Sequence, residues 1–290
     1  MGDSLTLLLL GPPEVAVQGR PVGIRAAKTR ALLCYLAATP GPRPRSELAA
    51  LLWGERPDAN ARGSLRLALS ELRKEVGGWL EITRDHVRFL AGDGCFVDHG
   101  HLARTPTVDE ALRLWRGDFM DGVEFCDAPA FGGWLESERG RVRLLLRELL
   151  LRAASAPPDQ FVRLARLVTE LDPYDEEAHR LLITALARAG NRGAALACYD
   201  DLRRRLADEL GVEPAPETAA VRRRLVTPVR RAAPPVPCTD LFGREAEIRE
   251  VRALLARERL VTLLGPGGVG KTRLAIAAAS SCAFVSFAGV

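Results

Sequence analysis

The sequence lacks the features that direct a chain into or across a membrane. No run approaches about 20 consecutive apolar residues, the length that crosses a bilayer, so no membrane span is expected. Residues 1–10 have no basic start, and their apolar stretch stops at Gly11-Pro12-Pro13, so no signal peptide is expected. We therefore expect a cytoplasmic protein without a membrane partner.

The cysteines form neither a CxxC pair nor a regular disulfide framework. The six are Cys34, Cys95, Cys126, Cys198, Cys238 and Cys282. Cysteines scattered in this way are expected to be reduced and mostly packed. The cluster with metal-like side chains is Cys95, Asp98, His99 and His101. We expect a structural or solvent role for that cluster, and no metal site.

The chain also lacks a strong charge of one sign. Its 41 Lys and Arg against 37 Asp and Glu give a formal net charge of +4. Such a value fits an anionic partner without requiring one, so the placement of the basic residues must carry the argument. With 290 residues, 47% hydrophobic and 27% charged, the chain has room for two or three ordinary globular domains.

Residues 58–76 predict a helix with one apolar and one cationic face. Asp58, which follows Pro57, is predicted as the N-cap, and Gly77 and Gly78 as the stop. At about 100° of rotation per residue, one face is apolar: Leu65, Leu69, Leu72 and Val76. The opposite face offers positive charge and hydrogen bonds: Arg62, Gly63, Arg66, Ser70 and Lys74, with Leu67 as one aliphatic contact and Arg73 at the edge.

The segments on either side predict a winged helix. Residues 46–53 predict a shorter helix, and residues 80–90 predict a two-stranded hairpin around Arg84-Asp85-His86. A recognition helix in this setting can enter the major groove of DNA. Taken alone, residues 58–76 are more often an ordinary amphipathic helix with a solvated basic face. The predicted DNA-binding residues are Arg62, Ser64, Arg66, Ser70, Arg73, Lys74, Arg84 and Arg88.

Short strands and one helix are expected upstream. Residues 5–10 and 14–18 predict two strands around a Gly-Pro-Pro turn, and residues 22–24 a third. Residues 26–38 predict a helix that ends at the breaker in residues 39–44. Its inward side chains are expected to be Leu32, Leu33, Tyr35 and Leu36.

This region resembles the OmpR-like winged-helix domain of the SARP family of bacterial activators. The resemblance spans residues 5–102 and is carried by LLGPPEVAVQGRPV (9–22), KTRALLCYLA (28–37), LAALLWGERPDANARGSLRLALSELRK (48–74) and VDHGHL (97–102). It implies a transcriptional activator that binds direct repeats in double-stranded promoter DNA, contacts RNA polymerase and self-associates on DNA.

Residues 107–226 are rich in Leu, Ala and Arg and predict only helices. The candidates span residues 107–115, 129–155, 159–171, 175–189, 191–210 and 216–226, the last four pairing as tetratricopeptide-like hairpins. No catalytic constellation lies among them. The region resembles the bacterial transcriptional activator domain of the same family through WRGDFMDG (115–122), WLESER (134–139), residues 171–206 and ELGVEPAPET (209–218).

A proline-rich linker at residues 228–237 precedes a P-loop. GPGGVGKT at residues 265–272 follows an apolar predicted strand and precedes a predicted helix. The expected phosphate and Mg²⁺ contacts are Gly265, Gly267, Gly268, Gly270, Lys271 and Thr272. Only one further strand is predicted, at residues 283–288, so this segment looks like the start of the signalling NTPase domain of larger SARP members, cut short. We therefore expect that the chain requires no cofactor. ATP with Mg²⁺ is expected to bind only if the P-loop domain is complete.

The predicted fold is mainly α. It comprises an α+β winged helix-turn-helix (1–102), an all-α tetratricopeptide-like activator domain (103–227), a linker (228–239) and an incomplete α/β P-loop fragment (240–290). The predicted function is sequence-specific transcriptional regulation without enzymatic activity. The alternative is a nucleotide-driven ATPase switch with a DNA-binding output domain.

Overall fold

The computed structural model describes residues 4–104, 107–226, 243–258 and 260–278. The chain divides into two compact units, residues 1–222 and 223–290. The first unit begins with the elements β1 (Leu5–Leu8), β2 (Glu14–Val17), β3 (Arg20–Pro21), α1 (Ala27–Ala38), β4 (Arg43–Pro44), α2 (Arg45–Trp53), α3 (Asp58–Val76), β5 (Leu80–Ile82), β6 (His86–Phe89), β7 (Cys95–Val97) and α4 (Asp98–Leu102).

The remaining described elements are helices. They are α5 (Val108–Leu114), α6 (Pro129–Arg152), α7 (Pro158–Leu171), α8 (Glu176–Arg188), α9 (Arg192–Arg205), α10 (Pro216–Val226), α11 (Glu245–Leu255) and α12 (Lys271–Ala278). The predicted mainly helical fold with a small β region is therefore confirmed. No helix in the described ranges is both long enough and apolar enough to cross a membrane.

The N-terminal sheet has four strands in the order β3-β2-β1-β7. The third strand was expected at residues 22–24 but lies at Arg20–Pro21, because the hairpin from β2 is tight. Gln18 and Gly19 have φ of 50° and 74°, so a two-residue turn places Arg20 opposite Val17. The edge position tolerates Pro21, which has no N–H to donate.

β7, which the sequence did not predict, pairs in parallel with β1. Leu5 lies opposite Cys95, and the main-chain N–H of Leu5 donates to Gly94 O at 2.8 Å. A three-residue strand whose partner lies 90 positions earlier has too short a pattern to be recognised locally.

The predicted hairpin forms the wing, which we define as residues 80–89 with β4. β5 and β6 are antiparallel, with Leu80 opposite Phe89 and Ile82 opposite Val87. β4 adds an edge strand on the other side of β6, although its residues lie in the segment expected only to break the first helix. Pro44 is compatible with that edge.

The helices α1, α2 and α3 pack against each other beside these sheets. The inward side chains predicted for α1 are all buried, and Leu32, Leu33 and Leu36 are fully so. Leu48 and Leu52 of α2 fill the same core. The packing of α1 and α2 against α3 holds α3 in place, with its outer face exposed.

α3 begins at Asp58, which corrects the predicted N-cap. Pro57 is the capping residue, with φ of −52° and ψ of 140°, and the helix start has no side-chain capping hydrogen bond. The carbonyl of Pro57 accepts from the N–H groups of Asn60 and Ala61 at 2.8 and 3.0 Å. The fixed φ of proline suits the residue at which the chain enters the helix. Asp58 lies in the first turn of α3, where a negative charge interacts favourably with the helix dipole.

The six predicted helices of residues 107–226 are all present within a few residues. α5 begins with a capping box in which Thr107 Oγ1 accepts from the N–H of Glu110. α6 and α9 are shorter than expected because their last predicted residues form other kinds of helical turn. A 3₁₀ turn at Ala153–Ser155 follows α6, and a π-helical turn at Leu206–Leu210 follows α9. Gly211, with a left-handed φ of 68°, ends the π-helical turn.

In the second unit, α11 and α12 pack through Val251, Leu274 and Ala278. The strand expected before the P-loop is not formed by residues 260–264, whose Leu260 and Leu264 are exposed. A strand requires a neighbour to pair with, and residues 243–258 and 260–278 contain no other strand. The strand expected at residues 283–288 and the linker at residues 228–237 lie outside the described residues.

Candidate nucleic-acid interface

α3 separates its buried and exposed faces as its periodicity predicts. Leu65, Leu69, Leu72 and Val76 are each at most 4% exposed. We call the opposite, outward side the groove face. It consists of Arg62, Arg66, Leu67, Ser70, Arg73 and Lys74, all of which are exposed.

The cations of the groove face differ in how they are held. Arg62 folds back on its own helix, with Nη2 at 3.9 Å from Asp58 Oδ2 and Nε donating to Asp58 O at 3.3 Å. Arg66, Arg73 and Lys74 make no ion pair with any residue in the described ranges. Three cations therefore remain available to an anionic partner.

Ser64 departs from the predicted interface. It is half-buried, and its Oγ accepts from Arg56 Nη1 at 3.4 Å. The structure thus places Ser64 beside the turn that precedes α3, while the groove face carries the more exposed Ser70. Arg56 was missed by the sequence reasoning, because only the folded turn brings it to α3.

The wing holds Arg84 and Arg88 outward. Thr83 Oγ1 accepts from the N–H groups of Asp85 and His86 at 3.3 and 3.0 Å, which fixes the tip of the hairpin. Arg84 and Arg88 are exposed and have no ion-pair partner among residues 4–104 and 107–226. Arg45 Nη1 donates to Thr83 O at 3.1 Å, so the first residue of α2 positions the wing. Arg45 was not identified from the sequence.

The helical region of residues 107–226 contacts the N-terminal region through main-chain pairing. The N–H groups of Arg116 and Met120 donate to Leu10 O and Leu9 O at 3.0 and 2.8 Å, and Gly11 N–H donates to Asp118 O at 3.0 Å. Gly11 has φ of 128°, and an added Cβ would lie 3.0 Å from Arg116 Cβ. This approach therefore requires glycine. We call this contact the seam.

Side chains complete the seam. Phe119 is fully buried, and the Trp134 ring lies 5.9 Å from its centroid and 4.8 Å from that of Tyr35. Lys28 Nζ donates to Leu52 O at 2.7 Å and lies 2.8 Å from Asp127 Oδ2. Phe119 of WRGDFMDG and Trp134 of WLESER thus pack.

Three of the four residues with metal-like side chains have separate structural contacts, and Cys95 is a half-buried free cysteine. Asp98 accepts three main-chain N–H bonds, from Leu9, Leu10 and His99 at 2.7, 3.0 and 2.7 Å. His99 Nε2 lies 2.9 Å from Glu138 Oε1 across the seam, and the His101 ring stacks on Phe96 at 4.6 Å. The described residues contain no group of three His, Cys, Asp or Glu arranged to hold a metal ion.

Burial dominates the acid–base properties near the seam. It raises the pKa of Cys34 to about 12, so this thiol is not a reactive group at neutral pH. Burial also raises the pKa of Asp98, although the three N–H donors and the charge of Arg116 act in the opposite direction. Neither group has the features of a catalytic acid or nucleophile.

The P-loop forms a turn in the second unit without a neighbouring strand in the described ranges. Gly268 and Gly270 have φ of 81° and 82°, values that favour glycine. Lys271 Nζ donates to the carbonyls of Gly265 and Pro266 at 2.6 and 2.7 Å. Thr272 follows in the first turn of α12.

Known proteins are similar to this chain in sequence. The bacterial transcriptional activator domain matches residues 96–226. The transcriptional regulator RedD of Streptomyces coelicolor is 33% identical over 77% of this chain and 70% of its own length. The regulatory protein AfsR of Streptomyces griseus is 30% identical over 94% of this chain but only 32% of its own length, so this chain spans about a third of AfsR.

A solved structure is similar as well. The EmbR protein of Mycobacterium tuberculosis, in complex with a low affinity phosphopeptide, superposes with a TM-score of 0.61 at 26% identity. The similarity covers 77% of this chain and 65% of EmbR.

Proposed function

This chain belongs to the SARP family of bacterial transcriptional regulators, and we propose that it binds double-stranded promoter DNA through the groove face and the wing. The observation that carries the proposal is the charge on α3. Arg66, Arg73 and Lys74 extend from the exposed side of a helix whose other side is buried, and no carboxylate in the described ranges neutralises them. Phosphates and base edges in a major groove are the matching partner.

The groove face and the wing divide the contacts in this proposal. Arg66, Ser70 and Lys74 approach base edges, where arginine and lysine pair with guanine and serine with several bases. Arg62 and Arg73 flank them, and Ser64 supports the start of the helix through Arg56. Arg84 and Arg88 of the wing contact the sugar-phosphate backbone beside the groove.

The seam suggests what the helical domain contributes. Because the main chain of residues 116–121 pairs with that of residues 9–11, the activator domain and the winged helix form one compact unit. We propose that this unit activates transcription by binding direct repeats as associated copies and by contacting RNA polymerase through the helical domain. The division at residue 102 stays a prediction within that proposal.

DNase I footprinting on the region upstream of its own gene tests the DNA-binding proposal. We expect two protected patches that carry the same sequence in the same orientation, with protection that survives excess unrelated competitor DNA. Protection that the competitor removes at low concentration would leave only non-specific electrostatic binding and would contradict the proposal. Addition of RNA polymerase is expected to extend the protected region.

A nucleotide-driven switch is the second candidate, favoured by the conformation of the P-loop. The positive φ of Gly268 and Gly270 suits a loop whose amides surround phosphate, and Lys271 follows directly. Under this candidate ATP with Mg²⁺ would bind at residues 265–272 and alter DNA binding. Calorimetry with ATP and Mg²⁺ distinguishes the candidates, because micromolar binding that disappears in Lys271→Ala is expected only of a switch.

A further inference from the structure

Leu67 is an apolar side chain on an otherwise polar surface. It is 75% exposed, the largest exposed fraction of any large apolar side chain described between residues 4 and 226. A single exposed leucine is common on protein surfaces, so its exposure alone indicates nothing. Its position on the groove face is informative.

The neighbours of Leu67 on α3 leave its side chain protruding. Gly63 and Ser70 lie four residues before it and three after it, on the same side of the helix. An added Cβ at Gly63 would meet nothing within 4 Å, so the space beside Leu67 is open. The other two neighbours are held on other contacts. Ser64 Oγ accepts from Arg56 Nη1 at 3.4 Å, and Glu71 accepts a hydrogen bond from the N–H of Arg25 at 3.0 Å.

The charges around Leu67 favour DNA over a protein as its partner. Arg66 and Lys74 share the groove face with it and are not paired within the described residues. The centres of protein interfaces are depleted of charged residues, whereas a phosphate-lined groove is stabilised by them. The aliphatic group on the base edges of the major groove is the C5-methyl of thymine.

We propose that Leu67 contacts a thymine methyl group in the major groove and so contributes sequence specificity. The proposal rests on the DNA-binding function proposed above. Leucine has no donor or acceptor, so it gains nothing from the polar edge of a G·C pair. It distinguishes thymine from bases without the methyl group through apolar contact alone.

Replacement of thymine by uracil tests this contact, because uracil lacks only the methyl group. The probe is a duplex recovered by the 290-residue protein from a randomised DNA pool, with each thymine replaced in turn. Removal of one apolar carbon from the contact is expected to weaken binding about fourfold at one position. Leu67→Ala is expected to bind the thymine duplex about fourfold more weakly and to lose the difference between thymine and uracil at that position.

Leu144→Ala is the matched control, since Leu144 is a 60% exposed leucine on α6. This variant is expected to keep the full penalty for uracil. Equal binding of every uracil duplex by the unmodified protein would overturn the contact, and so would an undiminished penalty in Leu67→Ala. Weaker self-association of Leu67→Ala in ultracentrifugation, with no uracil effect, would assign Leu67 to a second copy. If the protein recovers no sequence from the pool, the DNA-binding function itself fails.

Discussion

Asp98→Asn is expected to loosen the seam from the inside. The Asp98 side chain is 1% exposed, with Oδ1 accepting from Leu9 and His99 and Oδ2 from Leu10. The substitution keeps the size of the side chain but turns one oxygen into an NH₂ donor. The asparagine side chain keeps more hydrogen bonds if its oxygen occupies the position of Oδ1, which accepts two of the three bonds. Its NH₂ group then faces the N–H of Leu10, which loses its acceptor.

The magnitude follows from the hydrogen bonds that change. An unsatisfied buried N–H costs about 1–3 kcal/mol, and the two remaining bonds lose their charge-assisted strength. Burial raises the pKa of Asp98, which shows that its charge carries a desolvation cost that the amide avoids. The net loss is expected to be about 2 kcal/mol. For a unit of residues 1–222 this corresponds to a decrease in Tm of about 4–8 °C.

Thermal unfolding by calorimetry or circular dichroism measures this effect. Asp93→Asn is the matched control, because Asp93 is exposed and lies in the connection between β6 and β7, a few residues before Asp98. Its Tm is expected to change by less than about 1 °C. A Tm for Asp98→Asn within that same margin would refute the role of Asp98 as the acceptor that holds the seam.

Three further outcomes are expected. Residues 1–102 alone should bind DNA more weakly than the full chain and without tandem occupancy, because removal of the helical domain uncovers Leu9 and Leu10; full activity of this fragment in reconstituted transcription would contradict this. Burial acts to raise the pKa of Glu138, but the hydrogen bond and charge of His99 lower it overall. The stabilisation from Glu138 is therefore present above pH of about 4.3 and is lost as pH falls through its folded pKa. In urea unfolding, the advantage of the unmodified protein over Glu138→Gln should shrink as the pH falls from about 5 to about 3, and an advantage that grows over that range would be inconsistent. A polypeptide of residues 1–290 should show no steady ATP turnover in a phosphate-release assay, and turnover abolished by Lys271→Ala would prove this wrong.

The parts of the fold that follow from local periodicity were predictable. The apolar spacing of Leu65, Leu69, Leu72 and Val76 requires one buried face, and that constraint also determined which side of α3 is exposed. The helices of residues 107–226 were located for the same reason. Their ends shifted by a few residues, because the last turns of α6 and α9 change hydrogen-bonding pattern without a change of composition.

Features that depend on distant partners were not predictable from the sequence. β7 exists because β1 lies beside it, and Asp98 has its role because folding brings its carboxylate to the N–H groups of Leu9 and Leu10. Arg45 and Arg56 act on the wing and on α3 only after the chain has folded. Pro57 replaced Asp58 as the capping residue, a choice between adjacent residues that propensity does not resolve.

The central claim is that the groove face binds DNA, and the salt dependence of binding tests it most directly. Fluorescence anisotropy would compare the unmodified protein with Arg66→Ala/Lys74→Ala on a footprinted duplex over a series of salt concentrations. Arg163→Ala/Arg188→Ala removes the same charge from exposed positions of α7 and α8 and serves as the control. The groove-face double variant is expected to lose about 1–3 kcal/mol of binding free energy for each base contact removed. For each phosphate contact removed, the slope of log affinity against log salt concentration is expected to decrease in magnitude by about 1, while the control changes little. Equal affinity and equal salt slope in all three proteins, with unchanged circular dichroism spectra, would contradict the assignment of the groove face.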